Sequence, residues 1–172
     1  MKTDIVFKDK RWRILPLDEI ARVSFSAVEN DILDDEDDFE ISILATNDFE
    51  LIELNKKFRN HTKSTNILSW PEYNYKRVEP GGTPERIPKR LKFFESPRFL
   101  GNIAISFDQC SIEADERNIN FSHHITHLLI HGCLHLIGFD HENELDAARM
   151  ENVEKRLLLE LGIENPYMVN DR

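Results

Sequence analysis

His131, His135 and His141 are the residues whose types and spacing point most directly to chemistry. On a helix, His131 and His135 stand four residues and ~6 Å apart on one face, so two imidazole nitrogens can reach one ion at ~2.0–2.1 Å. His127 shares that face, but one ion cannot span the ~12 Å from His127 to His135. It is therefore read as a buried helix residue or as support for a ligand. The third ligand has to arrive from beyond the helix, and Gly138 provides the route. A glycine just past a helix end takes the left-handed conformation that brings the following residues back alongside the last turn. His141 is then placed to complete a three-histidine site.

Three neutral imidazoles with an open fourth position are the pattern of a catalytic zinc that activates water, whereas a structural zinc normally closes with four protein ligands. One zinc ion per chain is expected. The spacing His-x3-His-x2-Gly-x2-His is that of the metzincin zinc proteases. Those enzymes carry a glutamate beside the first histidine as general base, and here that position is Gly132. A metalloprotease-like hydrolase is thereby undercut: either another residue serves as base, or the substrate is one whose reaction depends more on stabilising anionic charge. Cys133 points away from both helical ligands and is assigned to the core.

The elements that must position these residues follow from periodicity and punctuation. Strands are predicted over Asp4–Phe7, Phe39–Ala45, Asn66–Pro71 and Leu100–Phe107, the second by clean alternation. Helices are predicted over Leu17–Val28, from an Asn47 or Asp48 cap to Arg59, from a Ser122 cap through Ile137, and over Glu144–Leu161 before Gly162. The acidic run Asp34–Asp38 reads as a solvated loop. Residues Tyr73–Arg98, broken by Pro80-Gly81-Gly82, Pro84, Pro88 and Pro97, form a long basic insertion. Strands mixed with helices in this order predict an α+β fold, a small mixed sheet with helices packed on it, and a single domain over residues 1–172.

The charge is two-signed. The chain carries a net charge of −10, yet Lys56–Arg98 holds eleven Lys or Arg and four Glu, a net of +7, which leaves −17 elsewhere. Overall acidity speaks against a polyanionic partner, and the basic run softens that objection. Two cysteines are too few for a disulfide framework, and no segment has the length and apolarity of a signal peptide or membrane span. The expectation is a protein of the reducing cytoplasm with no membrane partner.

The run His131-Gly132-Cys133-Leu134-His135-Leu136-Ile137-Gly138-Phe139-Asp140-His141 resembles the signature H-G-x-L-H-L-x-G-y-D-H of the YbeY family. Leu54–Arg59, Ser64–Pro71 and Leu100–Ser106 resemble further stretches of that family, so the likeness runs from about Phe39 to Leu161. It implies a YbeY-like fold with a zincin-like histidine helix, and a zinc-dependent, single-strand-specific endoribonuclease. Its expected role is maturation of the 16S rRNA 3′ end and ribosome quality control, with single-stranded rRNA and the small ribosomal subunit as partners. The GTPase Era and a small-subunit ribosomal protein are further implied partners. The resemblance also carries to Arg59 the family's essential arginine, which suits a guanidinium that can hold two phosphate oxygens. Trp70, Tyr73, Tyr75, Phe93 and Phe94 lie amid the basic residues and are candidates for stacking unpaired bases, with core packing the alternative for Trp70 and loop anchoring for the others. Asn66 and Asn102 depart from the family's usual aspartates. A competing reading is a ribosome-assembly factor that chiefly binds, with zinc holding its fold.

Overall fold

The computed structural model describes residues 1–33, 38–59, 63–75, 79–84, 87 and 97–167. Its sheet is built from β1 (Lys2–Phe7), β2 (Phe39–Thr46), β3 (Ile67–Pro71) and β4 (Arg98–Ser106), in the order β1-β2-β4-β3. β1, β2 and β4 run parallel, and β3 closes the edge antiparallel to β4, so the sheet is small and mixed as expected. The helices are α1 (Leu17–Ile32), α2 (Asp48–Arg59), α3 (Phe107–Glu116), α4 (Phe121–Leu136) and α5 (Glu144–Glu160).

Alternation along β2 sends Phe39, Ile41, Ile43 and Ala45 into the main core with Ile103 and Ile105 of β4. That core is completed by apolar faces of α1, α4 and α5, among them Phe25, Val28, Leu129, Cys133, Leu157 and Leu158. Each Val, Leu, Ile or Phe among them contributes roughly 1.5–3 kcal/mol when it leaves water. Leu44, Leu68, Trp70 and Ala104 face the other side of the sheet, where Leu51 and Leu54 of α2 cover them. The sheet therefore separates α2 from the histidine helix α4.

Two expectations need correction. The sequence assigns no helix between Phe107 and Ser122, yet α3 fills that stretch, begun by Ser106, whose hydroxyl accepts from the Gln109 N–H. The cap of α4 is Asn120 and not Ser122: the Asn120 side-chain oxygen accepts from the amides of Ser122 and His123. Asn offers that acceptor two residues earlier, and its extended backbone suits a cap. Asn47 caps α2 through the Glu50 amide, α2 ends at Arg59 as expected, and Cys110 and Cys133 are buried free thiols. The acidic residues 34–37 and positions 76–78, 85–86 and 88–96 of the basic insertion lie outside the described residues.

Candidate metal centre

The last turn of α4 builds the site. Gly138 has φ +96°, its N–H bonds the His135 carbonyl at 3.1 Å, and the Phe139 N–H bonds the Leu134 carbonyl at 3.0 Å. This double closure is the Schellman arrangement, and it reverses the chain. The same turn returns the Phe139 carbonyl to His135, whose Nδ1 donates to it at 3.0 Å. One glycine thus brings His141 back to the helix and fixes the ring of His135.

His131, His135 and His141 converge as the spacing predicts: their ligand nitrogens lie within 4.8 Å of one another. Nε2 of His131 and Nε2 of His135 are 3.1 Å apart. His135 spends its Nδ1 proton on a carbonyl, and His131 spends its own on the carboxylate of Glu154 at 2.8 Å. With both Nδ1 atoms donating, the two Nε2 atoms are left to face each other across the space that a cation would take. Two nitrogens bound tetrahedrally at ~2.05 Å would stand about 3.3 Å apart, close to the spacing found. The residues fit a zinc-type ion. Burial, followed by the neighbouring His131 and His141, holds His135 down to about 4, so its ring is neutral and free to ligate at neutral pH.

Glu154 was missed by sequence reasoning. It is fully buried, and its carboxylate also takes Nε2 of His127 at 2.9 Å and the hydroxyl of Tyr167. Burial alone would raise this carboxyl, but hydrogen bonds from His127 and His131 outweigh it and hold it at about 2. His127 therefore supports the centre without ligating, as one of its two expected roles had it.

The histidines line a cleft of about 1000 Å³. Thr65, Asn66, Ser69 and Pro71 of the β3 edge form one wall, and Tyr73, Tyr75 and Glu79–Pro80 of the insertion form another. The insertion is pinned there: Gly81 N–H donates to Asp146 at 2.7 Å, Arg149 donates to Thr83 at 2.6 Å, and Tyr75 lies against Gly138. Tyr73 is 55% exposed, with its ring 6.2 Å from that of Tyr75. Among the described residues no protein group completes a fourth ligand position in the histidine trio.

The remaining candidates fall as follows. Gly132 faces the sheet, where a β-carbon would come within 3.0 Å of Ile67, Ile103 and Ser69. Asn66 lines the cleft and donates to Glu113 at 2.8 Å, so an amide suits this position where an aspartate would oppose a carboxylate. Asn102 is exposed between Ile103 and Gly101 on β4, and alternation puts it on the α2 side of the sheet, away from the histidines. Trp70 is also on that side, edge-on to Phe58 at 5.7 Å. Arg59 closes α2, with its side chain outside the described residues, as are Phe93 and Phe94.

Fold and site together define a small α+β protein with a three-histidine metal-type centre in an open cleft. The model of the family "Endoribonuclease YbeY" matches residues 7–162. Curated relatives of that name include one from Ruegeria pomeroyi, 40% identical over 97% of this chain and 98% of its own. Another, from Ruegeria sp. (strain TM1040), is 37% identical over 99% of both chains. The chain belongs to the YbeY endoribonuclease family. A solution structure from Thermotoga maritima shares the fold, with TM-score 0.53 at 19% identity over 97% of this chain and 99% of that one.

Proposed function

We propose that this chain is a zinc-dependent endoribonuclease specific for single-stranded RNA, working as one domain in 16S rRNA 3′-end maturation and ribosome quality control. The observation that carries this reading is the histidine trio, its ligand atoms within 4.8 Å of one another, set in a cleft open to solvent. His131, His135 and His141 hold the ion. When bound, zinc supplies Lewis-acid polarisation of a phosphate oxygen and an acidified water. Arg59 pairs with phosphate oxygens and offsets the charge that builds on phosphorus.

The cleft walls support an unpaired substrate. Tyr73 and Tyr75 offer ring faces at its mouth, and stacking on aromatic rings is worth ~1–3 kcal/mol per unpaired base. Lys56, Lys57 and Lys63 are exposed near the end of α2 and beyond, giving phosphates a cationic approach in an otherwise acidic protein. The protease reading loses its support at Gly132, where packing leaves no space for a glutamate base. No helix among the described residues is long and apolar enough to cross a membrane. A cytoplasmic setting, with the small ribosomal subunit, the GTPase Era and a small-subunit ribosomal protein as partners, belongs to the same proposal.

The test is cleavage of a synthetic RNA, part duplex and part single-stranded tail, by zinc-loaded protein beside Arg59→Ala and His131→Ala forms of verified fold. Cleavage confined to the tail and lost in both variants is expected. An inert wild type that still binds ribosomal particles would replace this reading with that of an assembly factor.

A further inference from the structure

We infer that Glu154 is the positioning residue of the metal centre and that Tyr167, beyond the last helix, latches it in place. The inference rests on the reading of the histidine trio as a zinc site. Glu154 reaches across from α5 to α4 with both carboxylate oxygens occupied. Oε1 accepts from Nδ1 of His131 at 2.8 Å, and Oε2 accepts from Nε2 of His127 at 2.9 Å and from the Tyr167 hydroxyl. A carboxylate only accepts, so His131 must carry a proton on Nδ1, which leaves Nε2 as its ligand atom for the ion. In water a free histidine does not hold that tautomer by itself, and an unheld ring also turns about its side-chain bonds. Glu154 removes both freedoms at the ligand that begins the motif.

His127 completes the arrangement by what it does not do. Its Nε2–H is given to Glu154, and its Nδ1 is buried with no partner. It offers the cleft no lone pair, so it cannot compete for the ion, and it serves to satisfy the buried carboxylate.

Tyr167 makes the C-terminal segment part of the centre. Two contacts tie that segment to the body, Arg117 donating to the Pro166 carbonyl and the Lys155 ammonium 4.9 Å from the centre of the Tyr167 ring, and the Tyr167 N–H closes a local turn on Asn165 at 2.9 Å. The phenol ring packs edge-on to His127 at 5.6 Å. A hydroxyl delivered by this segment thus supplies a third donor to a buried anion, and burying an anion is costly unless it is hydrogen-bonded.

The test compares wild type with Glu154→Leu and Tyr167→Phe, measuring zinc affinity by chelator competition and the His131 tautomer by long-range 15N–1H NMR on zinc-free protein. Glu154→Leu should weaken zinc 10- to 100-fold, the range for groups that orient metal ligands, and release His131 from the Nδ1–H form. Tyr167→Phe, at a surface tail that leaves the core intact, should give a smaller loss in the same direction. Wild-type affinity and an unchanged tautomer in folded Glu154→Leu would overturn the inference, and unchanged affinity in Tyr167→Phe would overturn the latch. If Glu154→Leu does not fold, Tyr167→Phe decides the latch, and the His131 tautomer in zinc-free wild type decides Glu154: the Nδ1–H form is expected, and the Nε2–H form would overturn its role. A wild type that binds no zinc would instead defeat the metal reading, and the tautomer measurement would still decide the role of Glu154.

Discussion

A β-carbon at residue 132 would lie 2.9 Å from Cδ1 of Ile67, so α4 packs on β3 at a position where the helix has no side chain. That contact decides what the site cannot be. In a Gly132→Ala variant, the ~1 kcal/mol gain in helix propensity opposes a squeeze against the tips of Ile67, Ile103 and Ser69. The two effects nearly cancel, and stability should change by no more than about 1 kcal/mol. Gly132→Glu, which restores the protease base in sequence, buries a charge against two isoleucines. It should lose more than about 3 kcal/mol in denaturant unfolding and gain no peptidase activity. A stable Gly132→Glu protein would refute this account of the helix–sheet contact.

Gly138 is constrained twice. Its φ of +96° is unfavourable for any side chain, by roughly 1–2 kcal/mol, and a β-carbon would meet the Tyr75 carbonyl oxygen at 2.8 Å. Backbone yields less readily than a side-chain tip, so Gly138→Ala should lower stability by about 2–4 kcal/mol, or about 4–16 °C in Tm. Because the same turn aims the Phe139 carbonyl at His135 and delivers His141, zinc affinity should fall with stability. Chelator competition on the folded variant measures this directly, and a variant that lost stability but kept wild-type affinity would separate the turn from the site.

The difference between what was legible in the residues and what was not has a physical cause. His131, His135, Gly138 and His141 interact through helix geometry and one turn, so their spacing carries their arrangement. The alternation Phe39–Ala45 likewise carries the two-faced packing of β2. α3 was hidden because its buried stripe is only Cys110 and Ala114, too small to register as an apolar face. Glu154 was hidden because its partners lie 23 and 27 residues away on another helix. Its signal was its position: it sits on the stripe with Met150, Leu157 and Leu158, where a surface glutamate does not belong. The pinned insertion was not legible at all, since Asp146 and Gly81 meet only through tertiary folding.

Removing metal should leave a folded but weaker protein, because the core of α1, α4, α5 and the sheet does not depend on the histidines. At free zinc of 100 times Kd, linkage adds about 2.7 kcal/mol, or about 5–11 °C in Tm for a chain of this size. A strong chelator should abolish that increment. His141 is exposed, so His141→Ala should match the chelated wild type in Tm and show no response to zinc. A zinc response that survives in His141→Ala would place the ion elsewhere.

Acid should weaken the fold partly through Glu113. Burial alone would raise its carboxyl, but hydrogen bonds from His124, Asn66 and Gln109 prevail and hold it below its ordinary 4.5. The folded state therefore binds the proton less readily than the unfolded chain. Its stabilisation is present above about pH 4.5 and is lost as pH falls through the lowered folded value. Glu113→Gln should cost about 1–2 kcal/mol at pH 7, discounted for partial solvent exposure, and the difference from wild type should shrink below pH 4.5. Asn66→Asp tests the same contact from the other side by setting a second carboxylate against Glu113, 2.8 Å from the atom it replaces. It raises a carboxyl pKa in the folded state, so its destabilisation should be largest at neutral pH and fade on acidification. Urea unfolding of the three proteins from pH 3.5 to 7.5 reads both slopes, and parallel curves would mean that Glu113 contributes packing and no charge.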